Sequence, residues 1–145
     1  MTRGFPDFFL VAHKAYKVAK HEALSVDVDP QSTVEVLSVA GRGEMVYSTY
    51  RCDGEYSPND ITFYVYTEGG DTPFLTIWPL WINELYGDYS GAFQVLLWDR
   101  LNYRHVVACL IHVPFSRSLT IKATNKSSSN SYKVSVEAYV YRPGL

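Results

Sequence analysis

Apolar and polar residues alternate with a period of two along most of the chain, and no stretch of about ten residues carries an amphipathic helical stripe. Leu24, Val26 and Val28 alternate with Ala23, Ser25 and Asp27 up to Asp29-Pro30, which predicts a strand closed by a turn. Val34 to Ala40 and Glu44 to Cys52 flank Gly41-Arg42-Gly43, and a short glycine loop between two β-rich runs predicts a hairpin. Ile61, Phe63 and Val65 alternate with Thr62, Tyr64 and Tyr66 as far as the turn Glu68-Gly69-Gly70-Asp71. Phe74 to Trp78 forms a further short strand, stopped by Pro79 because proline donates nothing to a ladder. From Pro79 to Gly87, with proline at the start and glycine past the end, the chain predicts one short helical turn near 80–86. Ala92 to Trp98 and Tyr103 to Val113 are apolar on both faces, the composition of strands in the middle of a sandwich. Leu119, Ile121 and Ala123 make another inward row. After the polar loop Asn125 to Asn130, so do Tyr132, Val134, Val136, Ala138 and Val140.

Eight to ten short strands without crossover helices predict an all-β antiparallel sandwich, and the jelly roll suits a chain of 145 residues. An immunoglobulin sandwich is the competing arrangement, since Trp78, Trp81 and Trp98 lie between Cys52 and Cys109. Val107 stands where the tyrosine corner would be, which favours the jelly roll. The whole chain, 1–145, reads as a single domain with residues 1–10 as an N-terminal arm.

Composition narrows the partners. The chain is 47% hydrophobic and 19% charged, enough apolar material for a core. A net charge of -2 offers no basic field for phosphate backbones, so no nucleic-acid partner is expected. No run approaches the ~18 apolar residues of a membrane span, and the N-terminus lacks a signal-peptide pattern. Cys52 and Cys109 match no metal spacing and are expected as buried free thiols in a reducing compartment, though spacing leaves their pairing open.

A search for chemistry leaves little. His105 and His112 should face opposite sides of one strand, and His13 and His21 lack companions at ligand spacing, so neither a metal nor another cofactor is expected. Three carboxylate pairs have the proximity that glycoside hydrolysis needs: Asp53 with Glu55, Glu68 with Asp71, and Glu84 with Asp88. All three sit in turns, where capping and solubility account for them, and no catalytic residue is assigned.

The surplus is aromatic, at 15% of residues. If Val134, Val136 and Val140 face inward, Tyr139 and Tyr141 face outward, and the same parity turns Tyr64 and Tyr66 out. Tyrosine there offers contact area with few rotatable bonds. Phe5, Phe8 and Phe9 crowd the N-terminus and need cover, either from their own sandwich or from a neighbour. Trp78, Trp81, Tyr86 and Tyr89 gather around the 79–90 connection, where they suit a neighbour, a sugar ring or the core.

The order of segments Val36 to Tyr47, Ile61 to Tyr66 with Asp71-Thr72-Pro73-Phe74, and Val113 to Ile121 ending at Asn125 also resembles a known family. It is similar to the jelly-roll unit of bacterial proteins, some of them glycoside hydrolases, whose trimers look like viral double-jelly-roll capsid proteins. Those enzymes carry two jelly rolls and paired carboxylates, whereas this chain has length for one, so the resemblance does not carry catalysis over. A lone jelly roll of this size also looks like the decoration or minor capsid proteins of tailed phages and other viruses. That resemblance implies a virion structural protein, made in the host cytoplasm, that forms a homo-oligomer, most simply a trimer, and binds the major capsid protein. The alternative is a carbohydrate-binding or glycoside-hydrolase-like jelly roll.

Overall fold

A computed structural model describes residues 18–54, 60–86 and 91–142 of the chain. Within them the order is β1 (Val18–Val28), β2 (Ser32–Ala40), β3 (Gly43–Asp53), β4 (Ile61–Thr67), β5 (Leu75–Ile77), α1 (Pro79–Tyr86), β6 (Phe93–Asp99), β7 (Arg104–Cys109), β8 (Val113–Phe115), β9 (Ser118–Asn125) and β10 (Tyr132–Tyr141). One sheet runs β1-β10-β3-β7-β6 with β8 also paired to β3, and the other runs β2-β9-β4-β5. The antiparallel pairs nest: β1 takes β10, β2 takes β9, β3 takes β7 and β4 takes β5. That nesting is the jelly roll, with β6 and β8 as additions to the larger sheet.

Period-two alternation explains why the two sheets share one interior. Leu119, Ile121 and Ala123 of β9 are fully buried, as are Val134, Val136, Ala138 and Val140 of β10. Between them lie Phe63, Val65, Met45, Tyr50 and Val107, with the Tyr50 and Phe63 rings 5.1 Å apart and tilted. Cys52 and Cys109 are both buried and free. Helix α1 runs beside the interior, burying Ile82 against the core.

Four sequence expectations need correction. Gly41-Arg42-Gly43 does not make a hairpin, because β2 and β3 belong to opposite sheets and the chain crosses between layers there. Gly43 is required at that crossing: a Cβ would lie 2.8 Å from Val140 and 3.0 Å from the Phe115 ring. Residues 103–113 are not one strand, since β7 stops at Cys109 and β8 resumes at Val113, where it pairs with the start of β3. Strand β6 is an edge of its sheet, not a middle strand, so its second apolar face is left outside. Leu24 does not join Val26 and Val28 inside. Ser25 adopts φ 53°, the pairing with β10 slips between Ala23 and Val26, and the bulge turns Leu24 outward at 60% exposure.

The polar loop after β9 is organised by one buried amide. Asn125 Nδ2 donates to the carbonyls of Val28 at 3.1 Å and Asn130 at 2.7 Å, while its Oδ1 accepts from the Ser127 amide at 2.9 Å. These bonds tie the end of β1 to the β9–β10 loop. Removing the amide leaves buried backbone groups without partners, which costs about 2–3 kcal/mol. Asn125→Ala is therefore expected to lower the urea midpoint with an unchanged slope. A midpoint equal to wild type would show that the amide is not what holds the loop.

Candidate functional site

The predicted contact residues fall on different surfaces. Tyr64 and Tyr66 lie on the outer face of the four-stranded sheet, half-buried, with ring centres 6.5 Å apart and the Lys122 ammonium 5.0 Å above Tyr66. Tyr139 and Tyr141 lie on the opposite side of the molecule, on the six-stranded sheet, where Tyr139 packs on Tyr47 at 5.6 Å. Trp81 is exposed on α1, near the exposed Trp78 that precedes the helix. Tyr86 ends α1, and the position of its side chain lies outside the described structure, as do Phe5, Phe8, Phe9 and Tyr89. The four placed tyrosines thus form two separate half-buried sets.

A more exposed apolar surface runs along the six-stranded sheet, and it consists mainly of leucines. In β6 the pairing with β7 slips between Val95 and Leu97, and the bulge leaves both Leu96 and Leu97 exposed. Leu24 stands outward on β1, at the other edge of the same sheet. Between these edges a groove of about 420 Å³ crosses the outer face, with Leu24 on one side, Leu96 and Val106 on the other, and Thr49, Arg51, Asp53, Ser135 and Glu137 between. Its charged groups are partly spoken for: Arg51 Nε meets Asp53 Oδ2 at 2.9 Å, and Lys20 reaches Glu137 at 3.5 Å.

At the β6–β7 turn, Leu101 projects at 90% exposure, beside the exposed Tyr103. The Asp99 carboxylate builds this tip. Its Oδ1 accepts from the amides of Leu101 and Asn102, both at 3.1 Å, and its Oδ2 accepts from Asn102 Nδ2 at 2.7 Å. The Asn102 side-chain and backbone bonds hold the Asp99 carboxyl below its usual range. Tyr103 takes φ 55°, and its carbonyl accepts from the Gly54 amide at 3.2 Å. Leu101 is the residue that sequence reading missed. A leucine centred between Asp99 and Asn102, two turn formers, was the available signal.

Glu68, at φ 59°, spends its carboxylate on backbone amides: Oε2 accepts from Ser116 at 2.6 Å, and Oε1 from Arg117 at 2.7 Å and Ser118 at 3.2 Å. These bonds hold its pKa below the ordinary value, the opposite of what a general acid needs. Asp71 is exposed, and Glu84 is exposed on α1. The partners expected for Asp53 and Glu84, namely Glu55 and Asp88, lie outside the described residues, as does His13. A depression of about 620 Å³ near Gly54 contains Asp27 and Asp53, but Asp27 is paired with Lys133 at 2.6 Å and Asp53 with Arg51.

Cys52 and His105 are register partners across β3 and β7, an arrangement that superficially resembles a nucleophile and its base. Burial pushes the Cys52 thiol up and lowers the His105 imidazole, both away from the thiolate and imidazolium that such a pair would need. His105 instead meets the Trp98 ring edge-on at 4.5 Å. Among the described residues no three His, Cys, Asp or Glu gather as a metal-ligand set, and no helix is long and apolar enough to cross a membrane.

No family model matches the chain, and no curated protein does. Similarity appears among solved structures, mainly capsid proteins of phages and viruses, with a pilus protein beside them. The VP2 subviral particle of infectious bursal disease virus is 12% identical with a TM-score of 0.52, over 89% of this chain and 33% of that one. A chain of the capsid structure of Helicobacter pylori bacteriophage KHP30 is 12% identical with a TM-score of 0.46, over 88% and 94% of the two chains. A carbohydrate-binding module from Cellvibrio mixtus lichenase 5A, in complex with cellotriose, is 9% identical with a TM-score of 0.37, over 90% and 94%. At these identities the likeness establishes the sandwich fold alone.

The Glu68 contacts predict a definite pH dependence. A carboxyl whose folded pKa lies below its unfolded one contributes stability above the unfolded value, and that contribution disappears as pH falls through the folded value. Glu68→Gln is expected to melt lower than wild type at neutral pH, with the gap closing below about pH 4. A gap that stays constant from pH 7 to pH 3 would show that the ionised carboxylate is not what binds the Ser116 to Ser118 amides.

Proposed function

We propose that this protein is a structural component of a virion, a jelly roll that associates with copies of itself and stabilises a phage or viral capsid by binding the major capsid protein. The observation that carries the reading is apolar surface held outward by rigid backbone: Leu24 and Leu96 at bulges, Leu97 beside them, and Leu101 on a turn fixed by Asp99. Such surface on a sandwich whose core is already complete is what a subunit of an assembly presents. The capsid proteins with the same fold agree with it. The simplest assembly is a trimer, made in the host cytoplasm and located in the virion.

Phe5, Phe8, Phe9, Tyr86, Tyr89 and the half-buried Tyr64, Tyr66, Tyr139 and Tyr141 join this proposal as contact residues, with residues 1–10 as an arm onto a neighbouring subunit. The exposed Trp78 and Trp81 favour a second reading, a carbohydrate-binding surface with Trp81 as a stacking platform. A glycan array decides it: binding that Trp81→Ala abolishes would support the sugar reading, and an empty array would remove it.

Light scattering of the full chain during size-exclusion chromatography tests the assembly reading directly. A mass several times the 16.5 kDa protomer at micromolar concentration is expected, and a monomer would overturn it. Phe8→Ala and Phe9→Ala are expected to weaken association while thermal melting of the sandwich is unchanged. Variants that unfold outright would place those rings in the core.

A further inference from the structure

We infer that the β6–β7 hairpin is an acid-operated latch: its turn end stays closed while His105 is neutral and opens when the ring takes up a proton. The latch acts within one protomer and is independent of the assembly proposed above. His105 stands on β7 between two partners, paired with Cys52 of β3 on one side and Trp98 of β6 on the other, and it is 2% exposed. Its ring donates to the Cys52 carbonyl and meets the Trp98 ring edge-on at 4.5 Å. The Nε2 atom is buried without a hydrogen-bond partner among the described residues, and so is the neighbouring Trp98 Nε1. An indole nitrogen can only donate, so protonation would set a second N–H beside one that already lacks an acceptor. A buried charge without a partner costs far more than a neutral ring in the same seat, and the imidazolium therefore belongs to an open hairpin.

No described carboxylate is placed to rescue the closed form. Asp53 follows Cys52 on β3, but alternation puts it on the outer face of the sheet, where Oδ2 meets Arg51 Nε at 2.9 Å and the sheet separates the unpartnered Oδ1 from the ring. Both oxygens of Asp99, at the end of β6, are spent on the turn. Asp60 accepts from the Tyr132 hydroxyl at 3.3 Å, and Glu84 of α1 is exposed. The Cys52 thiol is pushed up by burial and offers no anion. Arg100 on the turn adds positive charge. Burial first, then Arg100, hold the imidazole below its ordinary value against the Cys52 carbonyl and the more distant Asp53 and Asp99.

The sheet order makes the opening local. His105 occupies the last rung but one of the β3–β7 ladder, followed only by Asp53 with Arg104 and the Gly54 to Tyr103 hydrogen bond. β6 is an edge strand, so no further strand holds the hairpin from outside. The other end is anchored by Val107 and Cys109 in the core and by the Leu110 amide on the Ala92 carbonyl at 2.8 Å.

A histidine kept neutral in the closed state and free to titrate in the open one gives full stability above its open-state value near pH 6.5, lost as pH falls below it. The opening constant should rise about tenfold per pH unit there. The Glu68 contacts weaken only in the more acidic carboxylate range, so pH 6.5 to 5 isolates the histidine.

Hydrogen exchange of the full chain at pH 7, 6 and 5, corrected for the intrinsic exchange rate, reads this constant. Amides of Trp98 and of Tyr103 to Val106 are expected to lose protection about tenfold per pH unit below pH 6.5, reversibly, while those of β9 and β10 do not. His105→Asn keeps a donor for the Cys52 carbonyl and removes the titration, so its exchange should be flat with pH. His105→Phe, which keeps the ring volume, serves the same purpose if the asparagine variant does not fold. Protection of the hairpin that is constant from pH 7 to 5, or that falls equally in either variant, would overturn the latch, as would a parallel loss in β9 and β10. Ring-proton resonances of the wild type decide the matter if neither variant folds: an imidazolium formed with the hairpin still protected rejects the latch, and protonation that coincides with lost protection supports it.

Discussion

The structure depends on strict alternation along β9 and β10. These strands pair on both sides, β9 with β2 and β4, β10 with β1 and β3, so their inward rows fix which face of each neighbouring strand is buried. Both inward rows are buried without interruption. A one-residue slip in β10 would exchange valines for lysine, glutamate and tyrosine at the core, and one in β9 would exchange leucine and isoleucine for threonine and lysine. The register in the centre of each sheet is therefore fixed by the core.

The margins are freer. β1 and β6 are the two edges of the six-stranded sheet, and both contain a bulge at which the pairing register shifts. A bulge places two residues opposite one and re-aims side chains. In β1 the re-aimed residue is Leu24, and in β6 the bulge leaves Leu96 and Leu97 exposed. The same irregularities that protect edge strands from uncontrolled pairing put leucines on the surface in defined positions. The Asp99 turn completes this arrangement by holding Leu101 beyond the sheet. The sheet thus divides: alternation in the centre makes the core, and its interruption at the edges puts leucines on the surface.

This division also explains what the sequence revealed. The inward rows of β4, β9 and β10, the short helix after Pro79 and the buried free cysteines were readable because each depends on local spacing or on residue type. The crossing at Gly41 to Gly43 was not. Two β runs around glycine describe a hairpin and a change of sheet equally well, and the choice rests on Gly43 fitting against Val140 and Phe115, distant in sequence. Nor was the bulge at Ser25 visible, since serine at positive φ has no sequence signature. The outward parity of Tyr64, Tyr66, Tyr139 and Tyr141 was legible, but their separation onto opposite faces required the sheet order. The role of Glu68 was hidden for the same reason: its partners are the Ser116 to Ser118 amides.

Hydrogen exchange of the full chain at two concentrations, one below and one above assembly, tests this division most directly. The account predicts that amides of β6 and the 99–104 turn gain protection at the higher concentration, while those of β9 and β10 exchange at the same slow rate in both. Protection that is identical in β6 and the turn at the two concentrations, with assembly verified, would contradict it.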